Sequence, residues 1–150
     1  MLVINGIDGA QALIGTEAEP GPWVTVDQER IDRFADATGD RQWIHVDVEK
    51  ARRSPLKGTI AHGYLTLSLT AALISDCVRF EGISAALNYG LNKVRFPAPV
   101  PSGGRVRLRC TLTAVEMRDG GALLTFANTV ELEGGPRPAC VAESLVLLLP

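Results

Sequence analysis

Between Tyr64 and Phe80 the sequence is apolar around almost the whole circumference of a helix. Leu65, Leu69, Ala72 and Leu73 fall on one side at helical spacing, and Leu67, Ala71, Ile74 and Val78 on another. A helix with no polar face is surrounded by protein. The pattern predicts one helix from His62 to about Arg79. Thr66, Ser68, Thr70, Ser75, Asp76 and Arg79 interrupt it too often for a membrane span.

After this helix the hydrophobic period changes to two. Asn88 to Phe96 reads as a strand stopped by Pro97, Pro99 and Pro101. Arg105, Arg107 and Arg109 then alternate with Val106, Leu108 and Cys110, giving one buried and one solvated face. Asp119-Gly120 marks a hairpin turn. Leu124, Phe126, Val130 and Leu132 share an inner face, and Cys140 to Leu149 is the last strand. At least four antiparallel strands must therefore bury a helix without a polar side, which calls for a strongly curved sheet around it. Such a sheet leaves edges open, and a second copy pairing edge to edge would cover them.

Before the helix the pattern is less regular. Residues 1–20 read as an arm or edge element, and Trp23 to Val26 as a short strand. Asp27 is a helix N-cap, with Ile31, Phe34 and Ala35 on the buried face and Gly39 closing the helix. Arg41 to Gly58 is a long excursion with one helical turn near Asp47 to Arg53. Excursions this long inside a compact domain are usually functional.

A chain of 150 residues is expected to form a single domain, 1–150, with a real core. A net charge of -2 argues against nucleic acid as the main partner. Cys77, Cys110 and Cys140 show no CxxC spacing and read as buried free thiols in a reducing compartment. With only His45 and His62, a multi-histidine metal site is not expected. No basic start followed by an apolar stretch and a cleavage site is present, so the expected location is the cytoplasm.

Two stretches carry chemistry. Gly39-Asp40-Arg41-Gln42-Trp43-Ile44-His45 sets a carboxylate and an imidazole five residues apart, just past a helix end. Five residues do not share a helix face, but in a turning loop both groups can converge as acid and base. The second stretch, Ala61-His62-Gly63-Tyr64, opens the apolar helix. Its first N–H groups are unpaired and carry partial positive charge, so an anionic oxygen can bind near Gly63. Structural readings stand beside each. Asp40 can cap a turn, His45 and His62 can be packed rings, and Gly63 can serve close helix–sheet packing. Trp43 can wall a pocket or sit in the core. The arginine stripe can meet phosphates or simply be a solvated strand face. There is no G-x-S-x-G, phosphate loop or dinucleotide fingerprint.

Phe34-Ala-x-Ala-Thr-Gly39-Asp40, His45-Val46-Asp47 and Ala61-His62-Gly63 together resemble the MaoC-like dehydratases, the (R)-specific enoyl-CoA hydratases of hotdog fold. The run from Leu91 to Gly103, LNKVRFPAPVPSG, is similar to the NodN-like branch of that family. The resemblance spans roughly residues 22 to 148. It implies an α+β hotdog fold, a curved antiparallel sheet wrapped around one long helix, in a homodimer or dimer-based oligomer. It also implies roles: Asp40 and His45 as the catalytic pair, and the Gly63 amide on the thioester oxygen. Gln42, Trp43, His62 and Tyr64 would contact substrate. The substrate would be an acyl-CoA or acyl carrier protein thioester, with no metal or redox cofactor. The family loop reads Gly-Asp-x-Asn-Pro-x-His, whereas here Gln42 and Trp43 replace Asn-Pro. That departure touches the shape of the acyl pocket.

The leading expectation is therefore a hydratase or dehydratase of acyl thioesters. A hotdog thioesterase and a non-catalytic acyl-thioester binding subunit are the alternatives, because a fold does not fix its function.

Overall fold

The computed structural model describes residues 1–150. The elements run β1 (Leu2–Asn5), α1 (Gly6–Gln11), β2 (Val24–Val26), α2 (Gln28–Thr38), α3 (Trp43–Val46), α4 (Val48–Arg53), α5 (Gly63–Leu73), β3 (Val78–Glu81), β4 (Ala85–Arg95), β5 (Gly104–Arg118), β6 (Gly121–Leu132) and β7 (Cys140–Leu149).

Five strands form one antiparallel sheet in the order β2-β5-β6-β7-β4. Alternation sets its faces. Val106, Leu108, Cys110 and Leu112 of β5, Leu124, Phe126 and Val130 of β6, and Ala142, Val146 and Leu148 of β7 all point inward and are buried. Register breaks between Leu112 and Ala114, Asn88 and Gly90, and Asn92 and Arg95 bend the long strands. Lys93, with φ of 51°, lies within the last of these. The concave face packs against α5, which is the curled sheet on a helix expected from the pattern.

On the outer face the arginine stripe is paired. Arg105 bonds Glu133 and Arg107 bonds Glu131, while Arg109 reaches Glu17 and, at 3.5 Å, Glu131. The Arg107 guanidinium also lies 4.5 Å from the Trp23 ring centroid. These cations are matched by carboxylates, so the solvated-face reading of the stripe holds.

Two expectations need correction. The apolar helix stops at Leu73 and tightens into a 3-10 turn over Ile74–Asp76. Val78 to Glu81 instead forms β3, paired in parallel with β1 (Leu2↔Val78, Ile4↔Phe80). A long-range partner strand supplies the backbone bonds that helical periodicity had suggested would be local. Within residues 1–20, read as an arm or an edge element, β1 is a strand paired with β3, and Ile4 and Ala10 are fully buried in the core. Finally, α5 is not enclosed within one chain. Leu65, Thr66 and Leu73 are buried, but Tyr64 is 70% exposed and Ser68, Ala71 and Ala72 are open. The sheet covers only one side of the helix.

Candidate active site

Helix α2 delivers the first functional group. The Asp27 carboxylate accepts the Arg30 N–H at 2.9 Å, starting the helix, and Gly39 ends it. Gly39 has φ of 79°, a left-handed conformation that glycine adopts without Cβ strain. The chain leaves the helix sharply there, placing Asp40 beside the following loop. That loop is more ordered than its sequence suggested. α3 covers Trp43–Val46, and Asp47 caps α4 by accepting the Lys50 N–H at 2.9 Å.

His45 sits in α3 and is 6% exposed. Its Nδ1–H donates to the Ile60 carbonyl at 2.7 Å, because a carbonyl can only accept. Nε2 therefore carries the free lone pair. The His45 backbone is held as well: Gln28 Nε2 donates to the His45 carbonyl at 2.7 Å, and Gln28 Oε1 accepts from the Thr59 hydroxyl. The segment before α5 is tied into the fold by Ile60 N–H to Ile44 O at 3.0 Å and Ala61 N–H to Val100 O at 2.8 Å.

Gly63 opens α5. No backbone or side-chain acceptor takes its N–H, as expected for a first helical residue. A Cβ built at Gly63 would lie 3.1 Å from Phe96 Cδ2, so the glycine admits the Phe96 ring against the helix start. Of the two readings of Gly63, an open oxygen site or a close-packing position, the contact with Phe96 bears on the second. The aromatic wall supplied by Phe96 stands at the Gly63 Cα.

His45 and Gly63 line the same cavity, of about 330 Å³, with Ile44, Ile60, Thr66, Phe96, Val100 and Ala139 among its other walls. Asp40 is exposed at the edge of this region. Donor atoms of Asp40, His45 and His62 all lie within 4.8 Å of one another. The Asp40 carboxylate, the His45 imidazole and the helix start at Gly63 thus lie close to one another.

The remaining sequence candidates are placed less centrally. Trp43 is turned away, with Lys50 Nζ 4.8 Å from its ring centroid, in a shallow depression shared with Asp47 and Arg53. Gln42 is exposed, and its N–H reaches Asp40 Oδ1 at 3.4 Å. Tyr64 meets Phe96 edge-on at 6.3 Å between centroids. His62 is 2% exposed and is not part of the cavity wall. Its ring stacks on His45 with centroids 3.8 Å apart and planes 22° from parallel. Sequence reasoning did not find the Ile60 carbonyl, the Gln28 tie or the Phe96 wall. Only the Arg95-Phe96-Pro97 run signalled one of them.

Two histidines and a carboxylate are a conceivable metal donor set. The stacking works against it. In-plane lone pairs of nearly parallel rings run side by side, so one ion cannot lie in both ring planes.

The chain is similar to known proteins in sequence and in fold. The MaoC-like domain model matches residues 9–134. A 3-hydroxyacyl-thioester dehydratase Z from Mycobacterium tuberculosis is 48% identical over 147 residues, covering 97% of each chain. Nodulation protein N from Rhizobium leguminosarum bv. viciae is 46% identical over 138 residues, covering 90% of this chain and 86% of that one. Among solved structures, an R-hydratase from Pseudomonas aeruginosa superposes with a TM-score of 0.74 at 21% identity, over 91% of this chain and 81% of that one. The fold is thus the hotdog arrangement, and the chain belongs to the MaoC-like dehydratase family.

Proposed function

We propose that this hydro-lyase catalyses the reversible syn addition of water to a trans-2-enoyl thioester, giving an (R)-3-hydroxyacyl thioester. The observation that carries this is the convergence of His45, with Nε2 unprotonated, and the unpaired Gly63 amide on one cavity, with Asp40 at its edge. The similarity to a protein named 3-hydroxyacyl-thioester dehydratase supports it.

In hydration, His45 Nε2 removes a proton from water as the oxygen bonds to C3. The C2–C3 double-bond electrons move toward the carbonyl, and the Gly63 N–H stabilises the enolate-like oxygen at the positive end of α5. Asp40 orients the water, takes that proton from His45 and delivers it to C2. Proton passage from His45 to Asp40 restores both groups, so the product has gained one H₂O. Dehydration runs the same steps backward. No step calls for a metal or redox cofactor.

The exposed face of α5 and the β4 edge, with exposed Leu87, Tyr89 and Leu91, support a homodimer in which a second copy covers both. Three free thiols, all buried, fit a reducing compartment such as the cytoplasm.

The test follows the conjugated-enoyl absorbance of a short trans-2-enoyl-CoA together with free thiol. Loss of absorbance without thiol release is expected. Thiol release would establish a thioesterase instead. No change across chain lengths, on coenzyme A and on acyl carrier protein, would leave only a binding role.

A further inference from the structure

We propose that His62 is a positioning residue for the catalytic pair, acting on Asp40 through its backbone and on His45 through its ring face. This rests on the reaction proposed above. His62 Nε2 lies 2.9 Å from the Asp40 carbonyl oxygen, so it carries the proton and donates. Its other nitrogen, Nδ1, is buried and has no hydrogen-bond partner. Phe34 of α2 packs against the same ring with centroids 4.9 Å apart. One residue at the mouth of α5 is therefore fastened to the end of α2, to the peptide of Asp40 and to the ring of His45.

Stability alone does not account for a histidine here. A buried nitrogen without a partner opposes folding, and an apolar residue of similar volume would fill the space without it. What a histidine adds is the bond to Asp40 and a neutral aromatic face under His45. Asp40 is otherwise exposed and follows a left-handed glycine, so its backbone has few other restraints. When His45 takes the water proton, its ring becomes a cation lying on the His62 face, an attractive arrangement. Both effects belong to the step where charge moves rather than to substrate binding.

His45 and His62 thereby carry opposite tautomers, Nδ1–H in the first and Nε2–H in the second. Long-range ¹⁵N–¹H spectra of the wild-type protein read this without any turnover. An Nδ1–H tautomer at His62 would overturn the proposal.

Kinetics supply the second reading, on trans-2-enoyl-CoA hydration. His62→Phe keeps an aromatic ring in the stack but removes the bond to Asp40. It is expected to lower kcat by ~10- to 100-fold with KM changed less than about twofold, the signature of misplaced catalytic groups. His62→Gln, which retains a donor, is expected to recover part of that loss. Asp40→Asn combined with His62→Phe is expected to be within about threefold of Asp40→Asn alone, because both act on one group. Wild-type kcat in His62→Phe, a KM effect alone, or a double variant showing the full product of both losses would each overturn the proposal. Wild-type protein that hydrates no enoyl thioester yet shows the opposite tautomers would refute the reaction while leaving the tether in place.

Discussion

The Nδ1–H of His45 donates to the carbonyl of Ile60 at 2.7 Å, which leaves Nε2 as the basic atom on the cavity side. A ring so held cannot turn to offer the other nitrogen. The carbonyl belongs to a segment bonded to Ile44 on one side and flanked by the Ala61–Val100 bond on the other. The His45 ring is thus oriented by backbone geometry.

Removing either member of the pair tests that arrangement. His45→Ala and Asp40→Asn are each expected to reduce the hydration rate by at least ~100-fold, the usual scale for a general acid or base. Circular dichroism is expected to remain that of the wild type. Near-normal turnover in either variant would remove that residue from the mechanism.

The Gln28 tie predicts coupling between stability and rate. Gln28 bonds the His45 carbonyl and the nearly buried Thr59 hydroxyl at once. Gln28→Leu would leave both without their partner, at a cost of about 1–3 kcal/mol. Thermal unfolding is expected to show a Tm lower by roughly 2–10 °C, together with a fall in kcat. An unchanged Tm would mean that water replaces the side chain.

Gly63 and Phe96 are predicted to be complementary in size. A methyl at Gly63 meets the Phe96 ring at 3.1 Å, so Gly63→Ala displaces the ring that walls the cavity. A loss of about 10-fold in kcat/KM is expected, in keeping with overpacking at a positioned group. Phe96→Leu in the same chain gives the methyl room and is expected to restore part of it. Equal losses in the single and double variants would point to the helix backbone instead.

The thiols are predicted to be silent in the folded protein. Burial pushes the Cys110 thiol up to about 12 and the Cys140 thiol to about 11, and raises Cys77 as well. At pH 8 the thiolate is scarce, so alkylation of native protein is expected to be at least ~100-fold slower than in denaturant. The sign for stability follows from the raised values. The folded state holds these protons more tightly, so stability is full below the ordinary thiol range and declines as pH rises through it toward about 11 and 12. Cys140→Ala is expected to flatten part of that alkaline decline in a pH series of thermal melts.

Assembly gives a last prediction. If a second copy covers β4 and the open face of α5, sedimentation is expected to give twice the chain mass. Leu91→Asp, on the exposed β4 edge, is expected to shift it toward the single-chain value.

The local signals in the sequence were strong where structure is made by near neighbours. Asp27 and Gly39 bound α2, Asp119-Gly120 turns β5 into β6, and the alternation from Arg105 to Cys110 set the sheet faces. The Gly39-Asp40 to His45 loop was legible for the same reason, since a helix end, a breaker and two reactive side chains sit within one short span. Helical periodicity ran on through Val78 because pairing with Leu2–Asn5, at the far end of the chain, leaves no mark in the local pattern.

The sequence by itself determined the curled sheet on an apolar helix and singled out Asp40 and His45 as the candidate acid and base. Periodicity and turn chemistry are local, and those residues lie in one loop. Only the tertiary structure decided what holds that pair. The Ile60 carbonyl, the Gln28 amide, the His62 ring and the Phe96 wall come from separate parts of the chain and meet at the start of α5. The orientation of His45 depends on these long-range contacts, which no spacing between neighbouring residues encodes.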